Sequence, residues 1–416
     1  MLEVTGFKGF RFSTEKVGAL DNVITPPWDV ISPEQRRALV ERSPYNMAHV
    51  LLPEPLGELA PAAHAAQRFD SWLADGALRQ DAEDSLYLLE QEFEDREGYI
   101  HVRRGFLAVA RLPEPDEHTI LGHERTFDDK AEDRLRLTMA TRANLGPVFV
   151  LYKDRRNALS PLLDVMDEDA PHDSAQTVDG VRQRIWRVPY DPSVTEYFAD
   201  KRLYIADGHH RFRTAQLYRD LKHAEEHPDG LRPYDYVLLG FVPFSDPGLA
   251  IYAPHRLVGK PEGFDASEFL AQVGRWFEVH CVEDVPERLS KEDHCAFGLA
   301  VHGLGTYLLV LRDVERFDIL GADCGPACRD LDVTVLHRGI LERILEMPPD
   351  TAFTYEPDTD AALEAVREGH SHLGFLLRPI QPEQVAACAE AGETMPQKAT
   401  YFFPKLPSGA VIHRLV

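Results

Sequence analysis

Apolar positions along the chain follow two periods, the two-residue period of strands and the three-to-four-residue period of helices. Apolar runs predict strands at 85–93, 99–110, 147–152, 181–188 and 234–243. Helical spacing and helix start signals predict helices at 61–74, 129–143, 264–277, 332–345, 359–369 and 381–392. This mixture predicts an α+β fold with a small mixed sheet and a second α/β lobe.

One stretch, residues 203–218, combines these patterns and carries polar chemistry between them. Its apolar start predicts a buried strand, and Asp207-Gly208 predicts a tight turn, because glycine permits conformations that other residues avoid. Helical spacing follows the turn. A strand, a glycine turn and a helix N-terminus together present backbone N–H groups and the positive end of a helix dipole, which is a natural anion site.

The same turn carries His209, His210 and Arg211, with Asp207 at the end of the strand. Cations that could hold phosphate therefore lie beside a carboxylate that could hold a metal. The stretch is neither a Walker loop nor a dinucleotide fingerprint, because the repeated glycines are absent. An ordinary solvated turn is the alternative, but two histidines directly before an arginine favour a function.

Composition narrows the classes of function. The 416 residues suit two to three domains, which we divide into 1–260, carrying the turn, and 261–416, a lobe whose tail returns to a cleft. The net charge of −24 argues against a nucleic-acid partner. Neither a membrane-spanning run nor a secretory signal is found, so we expect a soluble cytoplasmic protein with no membrane partner. The five cysteines lack a CxxC pair and are expected to be reduced thiols.

Further candidates lie outside the turn. His123 and Glu124 occur at the boundary between two predicted elements, where chemistry is common. His255-Arg256 closes a predicted strand and forms either a pocket wall or a structural polar cluster. Trp28, in a proline-rich loop, is either a packing residue or a residue that faces a ligand.

The C-terminal tail is the second stretch rich in chemistry. Lys398 and Lys405 bracket an aromatic run, with Thr400 between them and prolines fixing the backbone. This arrangement could complete an anion pocket. An edge strand protected by lysine and proline is the alternative.

Several of these pieces resemble one known family. They are PPWDVIS (26–32), GHERT (122–126), ADGHHR (206–211), DPGL…HRLV (246–258) and MPQKATYFFPKLPSG (395–409). In this order they resemble the domain-of-unknown-function family 1015 over essentially the whole chain. The family usually has Tyr at the position of Trp28 and Ser at that of Ala399, so a direct role for either side chain does not follow from the resemblance.

The DGHHR turn resembles the nucleotide-binding turn of the ParB/sulfiredoxin-like superfamily, which includes free L-serine kinases. The resemblance implies a ParB/sulfiredoxin-like core and a kinase that phosphorylates free L-serine, with ATP or ADP and Mg²⁺ as cofactors. Gly208, His209, His210 and Arg211 would then hold phosphates.

The same resemblance implies roles for the remaining candidate residues. Thr214 joins the phosphate site, and Asp207 matches the acid associated with Mg²⁺. Glu124, beside His123, is the candidate base. The acceptor or product would be bound by a further set of polar residues: Lys398, Lys405, Thr400 and Arg256.

Other functions stay open at this point. The first alternative is a nucleotide-binding or CTP-hydrolysing regulatory protein without a kinase acceptor. A phosphodiesterase or nuclease is a second, against which the acidic composition argues, and a non-enzymatic assembly protein is a third. The expected partners are a nucleotide and an amino acid, and a homodimer is left open.

Overall fold

The computed structural model describes residues 1–124, 128–154, 156–312, 316–321, 324–349 and 351–416. The chain forms two compact units. The first comprises Met1–Gly122, Thr126–Leu249 and Pro404–Val416, and the second comprises His123–Arg125 and Ala250–Phe403. The last residues of the chain, including Lys405, thus belong to the same unit as the 203–218 stretch.

The strands of the first unit form one large sheet and two smaller pairings. In chain order they are β1 (Val4–Thr5), β2 (Phe10–Phe12), β3 (Leu78–Gln80), β4 (Ser85–Glu94), β5 (Ile100–Arg111), β6 (Ile120–Leu121), β7 (Ala143–Asn144), β8 (Val148–Tyr152), β9 (Asp173–Gln176), β10 (Arg182–Pro189), β11 (Leu203–Asp207), β12 (Tyr236–Pro243) and, after the second unit, β21 (His413–Arg414).

The large sheet has nine strands in the order β6-β11-β8-β12-β5-β4-β10-β9, with β1 paired to β5. The β6–β11 and β8–β12 pairs are parallel and the others antiparallel, so the sheet is mixed as predicted. Its size corrects the expectation of a small sheet. The long apolar strands β4, β5 and β12 extend the sheet well beyond the turn-bearing strand β11.

The helices of the first unit are α1 (Thr14–Val17), α2 (Pro33–Arg42), α3 (Ala48–Leu51), α4 (Pro61–Ala74), α5 (Asp128–Thr141), α6 (Ser160–Leu163), α7 (Val165–Glu168), α8 (Ser193–Phe198) and α9 (His209–Glu226). Their apolar faces pack into cores on the sheet. Phe212 and Ala215 of α9, for example, join the same buried cluster as Ile205 of β11 and Val150 of β8. The apolar spacing after the turn therefore fixes α9 against the sheet.

The second unit has its own sheet. Its strands are β13 (Ala250–Tyr252), β14 (His255–Val258), β15 (Phe277–Cys281), β16 (Ala296–Val301), β17 (Gly305–Leu311), β18 (Thr354–Glu356), β19 (Leu373–Leu376) and β20 (Tyr401–Phe403). Six of them form a sheet in the order β15-β17-β16-β19-β14-β18, and β13 pairs with β20. A separate core cluster, with Leu257, Ala300 and Val366 among its members, underlies this sheet.

The helices of the second unit are α10 (Ala266–Val273), α11 (Val285–Ser290), α12 (Arg316–Leu320), α13 (Pro326–Arg329), α14 (Asp332–Thr334), a π-helix (Val335–Glu342), α15 (Thr359–Arg367) and α16 (Pro382–Glu390). Two predictions need correction. The helix predicted at 264–277 covers only Ala266–Val273, and Phe277 already starts β15. The helix predicted at 332–345 is a single α-turn that continues with π geometry.

Candidate functional site

The turn after β11 has the predicted strand–glycine–helix geometry. Asp207 is the last residue of β11, Gly208 is the N-cap residue, and His209 is the first residue of the 18-residue helix α9. Gly208 has φ 91° and ψ 28°, the left-handed region. A Cβ atom there would lie 2.9 Å from Nε of Arg211. Both the backbone conformation and the close approach of Arg211 therefore require glycine.

The charged side chains at this turn are paired with one another. Nη2 of Arg211 lies 2.5 Å from Oδ2 of Asp207, and Nζ of Lys405 lies 2.5 Å from Oδ1 of the same carboxylate. Arg211 also donates a hydrogen bond to the carbonyl of Pro147. The three charged side chains are between 9% and 16% exposed. One anion and two cations, largely removed from solvent, leave a net positive charge beside the start of α9.

The position of Lys405 is fixed by two residues that the sequence reasoning missed. Arg103, which is 1% exposed, donates to the carbonyl of Pro404 at 2.5 Å. Gln91 donates from Nε2 to the carbonyl of Lys405 at 3.0 Å. Burial lowers the pKa of Arg103 to about 9, so its guanidinium is still charged at pH 7. In the sequence, the signal for these two contacts is the occurrence of Gln91 and Arg103 within the otherwise apolar strands β4 and β5.

His209 differs from the cation expected in the turn. It is 7% exposed, and desolvation lowers its pKa to about 3, although Asp207 acts in the opposite direction. Its imidazole is therefore neutral at pH 7 and adds no positive charge to the turn. A Cβ atom on Gly122 would lie 3.0 Å from Cδ2 of His209, so the ring is held close to the backbone of the GHERT segment.

Behind the turn lies a small cavity of about 60 Å³ in the first unit. Arg211 and Thr214 line it from α9, and Trp28 and Arg134 line it from other elements. The guanidinium of Arg134 stacks on the Trp28 ring at 4.5 Å. Thr214 donates from Oγ1 to the carbonyl of His210 at 2.7 Å, so its hydroxyl proton is used within the helix. Trp28 is both packed by Arg134 and part of a cavity wall.

The residues at the turn do not fit the predicted magnesium site. Both carboxylate oxygens of Asp207 already bind cations, Arg211 on one side and Lys405 on the other. Across the described ranges, no three His, Cys, Asp or Glu side chains are grouped as metal ligands. A hard divalent cation needs several free oxygen ligands, and Asp207 offers none in this arrangement.

The other predicted site residues belong to the second unit. Glu124 forms a parallel bridge with Met395, and the carbonyl of His123 accepts a hydrogen bond from the Met395 amide at 2.9 Å. His123 is 1% exposed and Thr400 is 7% exposed. Lys398 has an exposed side chain and a positive φ of 50°. Arg125 and Thr126 of the GHERT segment lie outside the described residues.

Arg256 is the most deeply buried of these residues, with 0% exposure. It donates to Nε2 of His337 at 3.0 Å and to the carbonyls of Pro254, Gln397 and Lys398. Burial lowers its pKa to about 10, and the negative charge of Glu124 acts against that shift. Arg256 is thus a structural polar centre of the second unit, which decides between the two readings of the His255-Arg256 pair.

A family model described as "Protein of unknown function (DUF1015)" matches residues 4–334. The chain belongs to this family. The match includes the DGHHR turn and ends before the tail, so Lys398 and Lys405 lie beyond it. No curated protein matches the chain.

Three solved structures are similar at low identity. A free serine kinase in complex with AMP is 13% identical, with 68% of this chain and 83% of that chain covered and a TM-score of 0.36. A conserved hypothetical protein from Pyrococcus furiosus is 14% identical, with 70% and 90% covered and a TM-score of 0.36. SbnI with a C-terminal truncation, from Staphylococcus aureus, is 11% identical, with 72% and 84% covered and a TM-score of 0.36.

Within the described ranges, none of the helices combines the length and the apolar character that crossing a bilayer requires.

Proposed function

We propose that this protein binds the phosphates of a nucleotide at the turn 207–211 and transfers a phosphoryl group to the alcohol of a small molecule. The observation that carries the proposal is the grouping of Arg211 and Lys405 at the N-terminus of α9, where Gly208 brings the backbone into the left-handed region. An anion there meets helix N–H groups and two cations.

The chain's own groups suffice to bind and orient phosphate. Arg211 can present its guanidinium in a planar, bidentate manner, whereas Lys405 supplies a point charge. Both are held in place, Arg211 by the Pro147 carbonyl and Lys405 through the backbone contacts of Gln91 and Arg103. Phosphoryl transfer depends mainly on positioning and charge stabilisation, which preorganised cations provide.

A bound phosphate has to compete with Asp207 for these cations. The Asp207 carboxylate holds Arg211 and Lys405 together before any ligand arrives. Phosphate would take over part of both contacts, and Asp207 would keep the two side chains near the turn. Such an arrangement limits the side-chain entropy lost on binding.

Glu124 is proposed as the base. In the reaction, the alcohol oxygen of the acceptor forms a bond to phosphorus, the bond from phosphorus to the leaving nucleotide oxygen breaks, and Glu124 accepts the alcohol proton. Free L-serine is the proposed acceptor, and ATP or ADP is the proposed donor. The Mg²⁺ of the sequence-based reading stays a prediction without support from the turn's side chains.

The experiment is a nucleotide-consumption assay with ATP or ADP, in the presence and absence of L-serine, with phosphoserine measured by mass spectrometry. We expect product only when serine is present. Glu124→Gln should abolish turnover and leave nucleotide binding intact, while Glu58→Gln, at an exposed position, should behave as wild type. Full turnover by Glu124→Gln would remove Glu124 from the role of base.

A second function is favoured by one specific observation. The turn, Arg211 and Lys405 all belong to the first unit, whereas Glu124 belongs to the second. The phosphate site is therefore complete without the candidate base, as a nucleotide-binding or nucleotide-hydrolysing regulatory protein would require. Nucleotide that binds, or is hydrolysed, at a rate independent of serine would favour this alternative.

A further inference from the structure

A larger cavity lies wholly within the second unit. Its volume is about 440 Å³, and it is lined by residues of α13, α14, the π-helix, β18 and the segment 393–397. Pockets that bind metabolites have volumes of several hundred Å³ and a few well-placed polar groups. Among the described residues, two polar groups that line this cavity have unused hydrogen-bonding capacity.

His337 supplies one such group. It lines the cavity and is 8% exposed. Its Nε2 accepts the hydrogen bond from Nε of Arg256 at 3.0 Å, so the proton of the neutral ring is on Nδ1. Burial and the neighbouring Arg256 charge lower the pKa of His337 to about 3, which keeps the ring neutral. Within the part of the chain that the structure describes, this Nδ1–H group makes no hydrogen bond.

Thr334 supplies the second group. It lines the same cavity one helical turn before His337 and is 2% exposed. Its Oγ1 is buried without a hydrogen-bond partner among the described residues. A buried hydroxyl without a partner is costly, and native proteins seldom retain one without a reason. Thr334 and His337 therefore line one cavity, and each has an unused donor among the described residues.

The positive charge of the buried Arg256, which contacts His337, favours a negatively charged ligand. Arg256 is fully buried, its hydrogen bonds go to three carbonyls and the neutral His337, and it forms no ion pair with the described side chains. Its positive charge therefore has no ion-pair partner among the described side chains, although the Glu124 carboxylate acts on it through its charge. A buried cation is strongly stabilised by an anion nearby, since the protein interior screens charge weakly.

The other walls limit how much negative charge the ligand can carry. Arg338 and Glu342 both line the cavity and offset each other in formal charge. Glu393 adds a carboxylate, which accepts hydrogen bonds from the amides of Ala327 and Cys328 at 3.3 and 2.7 Å. One buried cation and two neutral donors match a single carboxylate better than a phosphate dianion.

We propose that this cavity binds a small organic carboxylate, whose oxygens accept hydrogen bonds from Nδ1 of His337 and Oγ1 of Thr334. The Phe353 ring, which stands edge-on to the His337 ring with centroids 5.5 Å apart, provides an apolar wall for the rest of the ligand. This inference does not depend on the proposed phosphoryl transfer, because binding is measured without nucleotide.

The test is isothermal titration calorimetry of the full chain with three probes: L-lactate, L-serine and inorganic phosphate. We expect at least one of the two carboxylates to bind. His337→Met removes the Nδ1–H donor and leaves Arg256 a thioether sulfur, a weak acceptor, in place of Nε2. Thr334→Val removes the hydroxyl at nearly constant volume. Each variant should weaken binding about tenfold or more, because a hydrogen bond to a charged group is lost.

Thr351→Val is the matched control, because Thr351 lines the same cavity and its hydroxyl already donates to the Pro348 carbonyl at 2.6 Å. Its affinity should equal that of wild type. The proposal is wrong if neither carboxylate binds or if phosphate alone binds. Carboxylate binding that is unchanged in both His337→Met and Thr334→Val would also overturn it. The L-lactate titration is independent of the nucleotide assay, because lactate is not the proposed acceptor, so the two proposals can fail separately.

Discussion

Arg211 and Arg256 are both held by backbone carbonyls, yet they differ in how their charge is balanced. Arg211 shares the Asp207 carboxylate with Lys405, and its side chain is 16% exposed. Arg256 is 0% exposed and hydrogen-bonds only to neutral acceptors. Arg211 can therefore exchange its carboxylate partner for a ligand. Arg256 is fixed in place, and its charge acts on neighbouring groups without an ion pair.

The difference also shows in the neighbouring histidines. His209 and His337 are both neutral with pKa values of about 3, and burial is the main cause in each. His209 lies beside a carboxylate that acts against the shift, while His337 lies beside a cation that adds to it. Neutral imidazole thus serves near Asp207 as a packed polar group and near Arg256 as a hydrogen-bond acceptor.

The largest expected effect is on stability, from Arg256→Met. The substitution leaves three carbonyls and Nε2 of His337 without their donor, and each buried polar group without a partner is costly. We expect the free energy of unfolding to fall by about 3 kcal/mol, measured by urea denaturation. Arg211→Met should cost clearly less, since Asp207 keeps Lys405. Equal losses would remove the contrast between the two cations.

Gly208→Ala should cost about 2 kcal/mol, because a residue with Cβ at φ 91° is strained and the new atom meets Arg211. Gly180→Ala is the matched control, since Gly180 also has a positive φ, 83°, but nothing lies within 4 Å of its Cβ position. Urea denaturation and nucleotide titration should show that both variants lose stability and only Gly208→Ala loses affinity. If Gly208→Ala and Gly180→Ala both lost affinity, general backbone strain would explain the loss.

The smallest expected effect at neutral pH is that of His209, and it grows as the pH falls. Between the unfolded pKa of about 6.5 and the folded value of about 3, unfolded His209 binds a proton that folded His209 does not. The contribution of His209 to the free energy of unfolding is therefore fully present above about pH 6.5. It falls on acidification by up to about 1.4 kcal/mol per pH unit. Denaturation at several pH values should show a shallower slope in His209→Gln.

The control for the pH experiment is His294→Gln, which changes an exposed histidine. Its slope should match that of wild type. The groups that act on His209 are Asp207, His210, Lys405 and Arg211, and Asp207 alone favours its protonated form. A wild-type slope in His209→Gln would show that the imidazole is not held in its neutral form.

The strand–glycine–helix unit could be predicted from the sequence because its signals are local. An apolar run predicted β11, glycine predicted the turn, and helical spacing predicted α9. The order of the pieces also predicted the family, which the match over residues 4–334 confirms. The boundaries of α10 and the π geometry after α14 could not be predicted, because they depend on tertiary packing.

The candidate site was predicted in part. That Asp207 and Arg211 lie together follows from their spacing of one helical turn. The pairing of Lys405 with Asp207 joins residues 198 positions apart, and no local pattern specifies it. The neutral state of His209 and the hydrogen bond from Arg103 to the Pro404 carbonyl both depend on burial. The only sign of such burial in the sequence is the occurrence of charged or polar residues within apolar strands.

The central claim is that Arg211 and Lys405 form a phosphate site at the start of α9. Its most direct test is calorimetric titration of ADP into wild type, Arg211→Ala, Lys405→Met and the control Arg213→Ala, on the same helix. We expect ADP to bind wild type and the control equally, and to bind each of the other two variants about tenfold more weakly or worse. Wild-type affinity in both Arg211→Ala and Lys405→Met would contradict it.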